Sequence, residues 1–203
     1  MYSSSELIKH LIDRGALQSD SIIDAFRKID RVDFVSDTTA SNIYADYPLS
    51  IGFKQTISQP TTVAMMFEML SPEKGEKILD VGSGSGWTTA LLSYIAGETG
   101  QVTGVERIPS LVEFGKANLR KYNFPNAEII PAGKVLGIPG EKFDRILVSA
   151  SADEFPSELA QQLKTGGRLV IPVLDSIYEI TKKRNGELDG IRHYSFTFVP
   201  LIF

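Results

Sequence analysis

Between residues 77 and 173 the sequence alternates short, nearly all-apolar runs with stretches of helical periodicity. Lys77 to Val81, Val102 to Glu106, Glu128 to Pro131, Phe143 to Val148 and Arg168 to Val173 read as strands. Trp87 to Ala96, Pro109 to Tyr122 and Pro156 to Leu163 read as the helices between them. Strands lacking polar alternation must be covered on both faces, and strands separated by helices run parallel. The pattern therefore predicts an α/β fold with a doubly wound, mostly parallel sheet. Val63 to Leu70 adds an apolar helix before the first strand. Leu7, Ile8, Leu11 and Ile12, then Ile22, Ile23, Phe26 and Ile29, place two amphipathic helices at the N-terminus. Tyr178 to Lys183 and His193 to Phe198, on either side of Asn185-Gly186, predict an antiparallel C-terminal strand pair, since Asn-Gly is a hairpin turn signal. Tyr194, Phe196 and Phe198 alternate as strand core residues would. Asp37 to Pro60 breaks the periodicity with Pro, Gly, Ser, Thr and aromatics, and reads as an ordered, irregular loop able to wall a site.

The most informative segment is Ile78-Leu79-Asp80-Val81-Gly82-Ser83-Gly84-Ser85-Gly86, at a strand-to-helix turn. Parallel sheets bind ligands at the carboxyl ends of their strands, where glycine lets backbone approach the ligand. A dinucleotide fingerprint would need glycine where Trp87 stands, which disfavours nicotinamide or flavin. Twenty residues after Gly86, Glu106 closes the next strand, placed to accept hydrogen bonds from two ribose hydroxyls.

Composition removes several chemistries. The 203 residues contain no cysteine, which excludes disulfides, thiolate catalysis and Cys-ligated metals, and the two histidines, His10 and His193, lie too far apart in sequence to read as a local ligand pair, so no metal is expected. Both histidines read as surface or structural. A net charge of -4 and scattered basic residues argue against nucleic acid as a partner. No apolar run reaches membrane-spanning length, and Met1 to Glu6 lacks a signal-peptide layout, so a cytoplasmic location with no membrane partner is expected.

The Gly-x-Gly-x-Gly loop with its preceding acid resembles the first motif of class I S-adenosylmethionine-dependent methyltransferases. Gln55-Thr56-Ile57-Ser58-Gln59-Pro60 resembles a more specific element, the signature of the protein-L-isoaspartate O-methyltransferases. Arg31 to Val35, Tyr44 to Leu49, Asp144 to Val148, Gln162 to Val173 and Phe198 to Leu201 follow the same family in order. The resemblance implies a Rossmann-like, seven-stranded fold in one domain, 1–203, with 1–60 a helical extension and substrate loop and 61–203 the core. It implies S-adenosylmethionine as cofactor, held by Asp80, Val81, Gly82, Ser83, Gly84, Gly86, Glu106, Arg107 and Gly133, with Asp80 near the methionine moiety. It implies isoaspartyl-containing proteins or peptides as partners, bound by Thr56, Ile57, Ser58, Ala150 and Val199, with Ser58 the catalytic residue that orients the acceptor. A monomer or small homo-oligomer is expected.

The match has gaps. Where the family carries Gly-Asp-Gly after its third strand, this chain has Ala132-Gly133-Lys134, and Lys54 and Asp153 stand where glycine and proline are usual. Two other readings stay open at this point: a class I methyltransferase for another carboxylate or hydroxyl acceptor, and a catalytically weak cofactor-binding protein. Amino-directed nucleic-acid methylation is disfavoured, because Ser149-Ala150-Ser151-Ala152 replaces the Asn/Asp-Pro-Pro-aromatic element such enzymes use.

Overall fold

Ser3 starts the first helix with a reciprocal cap. Its hydroxyl accepts the Glu6 N–H and its own N–H donates to the Glu6 carboxylate, so α1 (Ser4–Asp13) begins there. The computed structural model describes residues 3–37, 42–194 and 196–202. α2 (Asp20–Lys28) and a 3-10 turn (Arg31–Phe34) follow, then a hairpin of β1 (Leu49–Gly52) and β2 (Gln55–Ile57), and α3 (Pro60–Leu70). Pro60 at the first position of α3 presets the helical φ. Asp46 reaches in from the preceding loop to accept both the Thr61 N–H (2.9 Å) and its hydroxyl (2.6 Å).

The remaining elements are β3 (Lys77–Val81), α4 (Trp87–Ala96), β4 (Gln101–Glu106), α5 (Pro109–Arg120), β5 (Ala127–Pro131), β6 (Phe143–Val148), α6 (Ser157–Gln161), β7 (Leu163–Val173), β8 (Ser176–Lys182) and β9 (Leu188–Tyr194). They build a seven-stranded sheet in the order β5-β4-β3-β6-β7-β8-β9. β3 to β7 are parallel, and β8 and β9 join antiparallel at one edge. Strand alternation splits the core in two. Ile78, Val102, Ile129, Leu147 and Val170 join the core shared with α1 to α5. Leu79, Val81, Val105, Ile146 and Val148 face the other way, onto Leu136, Phe155 and Leu159. That second face is covered by the five-residue α6 and by connecting segments.

Two expectations need correction. The last strand is Leu188–Tyr194, five residues earlier than expected. Lys183 N–H donates to Glu187 O and Gly186 N–H to Lys183 O, which closes the turn within Lys183–Glu187, so pairing resumes at Lys182↔Leu188. Phe196 and Phe198 lie outside the named strands and pack against the first core. The stretch from 37 to 60, whose residues 38–41 lie outside the described set, holds the β1–β2 hairpin. Its turn residues Phe53 and Lys54 both have positive φ (53° and 58°).

Candidate active site

The glycine loop lies between β3 and α4, and its path is fixed mainly by backbone. Gly82 and Ser83 N–H groups donate to Val105 O (2.9 and 3.2 Å), and Gly82, Gly84 and Gly86 all have positive φ, a conformation costly for residues with a Cβ. Gly86 does not line the cleft. A Cβ there would lie 3.1 Å from Ile129 Cδ1 and 3.2 Å from Gly115 O, so this glycine lets α5 approach the loop. Asn118 Nδ2 on α5 adds a 2.9 Å bond to Ser85 O. On its other side the loop is roofed by the β1–β2 hairpin, whose Ile51 Cδ1 would be 3.2 Å from a Cβ at Gly84.

Two carboxylates stand at the ends of β3 and β4. Glu106, 6% exposed, accepts the Gly84 N–H on Oε2 (3.0 Å) and the Ile108 N–H on Oε1 (2.9 Å), leaving each oxygen a further lone pair. Asp80 is fully buried behind the loop and does not line the cleft. Its Oδ2 accepts the hydroxyls of Thr88 (2.7 Å) and Thr89 (2.6 Å), tying β3 to the first turn of α4, while Oδ1 has no partner. Burial pushes the Asp80 pKa up to about 6; the two threonine hydrogen bonds pull it down, and the nearby Glu106 charge adds to the rise.

A cleft open to solvent lies over this loop, bordered by the glycine loop, the end of β4 and the β1–β2 hairpin. Val81, Gly82, Ser83, Gly84, Glu106, Arg107 and Gly133 line it, together with Thr56, Ile57, Ser58, Ala150 and Val199. Of the residues singled out from sequence, only Asp80 and Gly86 stand behind the wall. The Ser83 hydroxyl and the Trp87 indole N–H are buried at this wall with no partner. Past Glu106 the wall is Ala132, Gly133, Val135, Leu136 and Gly137, an apolar surface suited to a flat base. These features fit S-adenosylmethionine: orphaned polar atoms at the loop, a carboxylate with acceptor capacity for a diol, and an apolar slot beyond it. At the opposite end, neither the Thr56 nor the Ser58 hydroxyl bonds to another described residue. Segment 199–201 forms the wall there, held by Ser151 N–H to Val199 O (2.8 Å) and Leu201 N–H to Ser151 O (2.7 Å). Among the described residues no group of three or more His, Cys, Asp or Glu could hold a metal, and no helix is long and apolar enough to cross a membrane.

Comparison with known proteins bears on this cleft. The family model described as protein-L-isoaspartate(D-aspartate) O-methyltransferase matches residues 2–202. The chain belongs to this family. A Methanopyrus kandleri protein-L-isoaspartate O-methyltransferase is 39% identical over 202 residues, covering 97% of this chain and 89% of the relative. Its Pyrococcus abyssi counterpart is 40% identical over 201 residues, covering 96% and 92%. A Plasmodium falciparum crystal structure, described as a β-aspartate methyltransferase in complex with S-adenosyl-L-homocysteine, superposes with a TM-score of 0.88 at 28% identity. It covers 100% of this chain and 99% of that one.

The site also contains a residue to which the sequence assigned no role. Arg31, 2% exposed, donates from Nη1 to Ser58 O (2.8 Å), from Nε to Ile43 O (3.1 Å) and from Nη2 to Tyr47 O (3.2 Å). Its guanidinium carbon lies 4.8 Å from the centroid of the Trp87 ring. The only available signal was an arginine amid apolar residues in Arg31-Val32-Asp33-Phe34-Val35, which spacing alone does not distinguish from a surface cation. His10 and His193 lie away from the cleft, within 3.9 Å of Asp46 and 3.6 Å of Glu179.

Proposed function

We propose that this family member transfers a methyl group from S-adenosylmethionine to the free carboxylate of L-isoaspartyl residues in damaged proteins or peptides, a protein-repair activity. The observation that carries the reading is the pair of unengaged hydroxyls, Thr56 and Ser58, at one end of a cleft whose other end is the glycine loop and Glu106. When bound, S-adenosylmethionine supplies a methyl group on a sulfonium, an electrophile whose departure leaves a neutral thioether.

The protein's own part is positioning. A carboxylate with a pKa near about 4 is already ionised at neutral pH, so no general base is needed. Among the described residues, those lining the acceptor end include no His, Lys, Asp or Glu. Ser58 donates a hydrogen bond that aims the acceptor oxygen, Thr56 supports it, and Ile57, Ala150 and Val199 exclude water beside it. At the other end Glu106 accepts from the ribose diol, the backbone of Val81 to Gly84 cradles the methionine portion, and Arg107 and Gly133 border the base. Asp80 acts from behind, holding α4 against β3. We read the chain as one methyltransferase domain over 1–203, with 1–60 supplying the acceptor loop, and place it in the cytoplasm among the proteins it would repair.

The test is methyl transfer to an isoaspartyl peptide beside its aspartyl twin of the same sequence. Methylation of the first and not the second is the expected result. Equal transfer, or transfer to neither with cofactor binding intact, would overturn the reading.

A further inference from the structure

Arg31 is the one buried cation at the junction between the acceptor loop and the cofactor cleft among the residues the structure describes. Every hydrogen bond from its guanidinium goes to a main-chain carbonyl, and the three carbonyls belong to separate points of one loop: Ile43, Tyr47 and Ser58. A planar fork with fixed donor directions suits such an array, and a lysine ammonium cannot reproduce it. Its remaining face rests on Trp87, the residue that follows the last glycine of the loop and itself lines the cleft. One side chain thus touches both halves of the site: the carbonyl of Ser58 and the ring beside the glycine loop. Burial lowers the Arg31 pKa to about 9 while the Asp46 charge raises it, so the cation persists at neutral pH. Desolvating a cation without a carboxylate in direct contact is costly, and three carbonyls with an aromatic face offset that cost only while the loop keeps this path.

We infer that Arg31 is the positioning residue that sets Ser58 in register with the cofactor cleft, fixing the acceptor loop by its carbonyls and indexing it to the glycine loop through Trp87. This rests on the methyltransferase reading above. Arg31 itself touches neither substrate nor cofactor; it acts through Ser58. A loop displaced by about 1 Å is enough to lower a reaction that depends on alignment by around a hundredfold.

The experiment compares Arg31→Met and Arg31→Lys with the wild type, well below each variant's melting midpoint. It measures S-adenosylhomocysteine affinity, kcat and KM on an isoaspartyl peptide, and acrylamide quenching of Trp87, the only tryptophan in the chain. In both variants kcat should fall about 10- to 100-fold, with S-adenosylhomocysteine affinity within about threefold of wild type. Quenching should rise, because Trp87 is only 3% exposed beneath the clamp. Arg31→Lys should recover melting temperature more than it recovers kcat, since it restores charge and volume without the fork. If Arg31→Met does not fold, Arg31→Lys carries the same comparison. Wild-type kcat in a folded variant would make Arg31 a stability residue and overturn the inference, as would cofactor binding that weakens in step with the rate. Should the wild type bind S-adenosylhomocysteine yet methylate no isoaspartyl peptide, the functional reading fails, whereas the quenching comparison still decides whether Arg31 holds the loop.

Discussion

Glu106 holds the glycine loop and is proposed to hold the cofactor as well, and Glu106→Gln separates the two roles. In the structure one oxygen takes the Gly84 N–H and the other the Ile108 N–H, both within 3.0 Å, from a side chain 6% exposed. Glutamine keeps the shape but offers one acceptor oxygen, so its NH2 must face one of the two backbone donors. Loss of a hydrogen bond to a charged group is worth about 1.5–3 kcal/mol. If the same carboxylate also receives the ribose diol, S-adenosylhomocysteine should bind roughly 10- to 100-fold more weakly, at about 1.4 kcal/mol per tenfold. The unfilled donor should lower the melting temperature of the ligand-free protein by roughly 2–10 °C, the span that about 1–3 kcal/mol produces in a chain of this size. Calorimetric titration at neutral pH reads the first quantity and a thermal melt without ligand the second. A variant that melts lower yet binds S-adenosylhomocysteine within twofold of wild type would assign Glu106 to the loop alone and refute its cofactor role.

Three further outcomes follow from the same geometry. Ser58→Ala removes a hydroxyl that bonds to no other described residue, so turnover on an isoaspartyl peptide should fall about five- to a hundredfold, for roughly 1–3 kcal/mol, with cofactor affinity and melting temperature unchanged; a large drop in melting would make Ser58 structural. Asp80 has a folded-state pKa raised to about 6 from an ordinary 3.8, so its contribution to stability is fully present below about pH 4 and is lost as pH rises through 6. Asp80→Asn keeps an acceptor for Thr88 and Thr89 without the buried charge, so melting temperatures measured across pH 4 to 8 should move in the variant's favour as pH rises, and a difference independent of pH would contradict this. Gly133 has open space about it, the nearest atom to an added Cβ being 3.9 Å away, so Gly133→Asp should fold normally and tighten S-adenosylhomocysteine binding by supplying an acceptor at the base. Equal or weaker binding in calorimetry would show that another group already meets the base there.

The sheet was legible because β3 to β7 are apolar runs punctuated by helices, a pattern with few alternative folds. β9 was not. It lies at the sheet edge, where Leu188 and Ile191 are exposed and no buried face imposes alternation, whereas the alternating aromatics Phe196 and Phe198 lie outside the named strands. The β1–β2 hairpin stayed hidden because its turn uses Phe53 and Lys54 at positive φ, where Asn-Gly would have announced it. The expected site residues came from the glycine loop, the acid that ends the next strand and the family resemblance along the chain, and the structure gathers all but Asp80 and Gly86 around one space. Those two sit behind the wall for reasons invisible in one dimension: Asp80 points along its strand face toward α4, and Gly86 meets α5 through Gly115. Arg31 was missed because a buried arginine satisfied by carbonyls has no spacing signature.

Among the described residues, the groove continuing from the acceptor end past Ser58 is lined by Pro48, Thr56, Ser58, Gln59, Thr62, Ser149, Thr197, Phe198 and Val199, none of them charged. Such a surface has no means of rewarding or rejecting a neighbouring charge on an incoming polypeptide by direct pairing. Chemical damage arises wherever the chain happens to be labile, so a catalyst that met each site with its own charge pattern would leave most lesions untouched. Neutral hydroxyls and amides trade affinity for breadth. The expected signature is a wide repertoire of acceptors with shallow differences among them, and little dependence of any one on ionic strength.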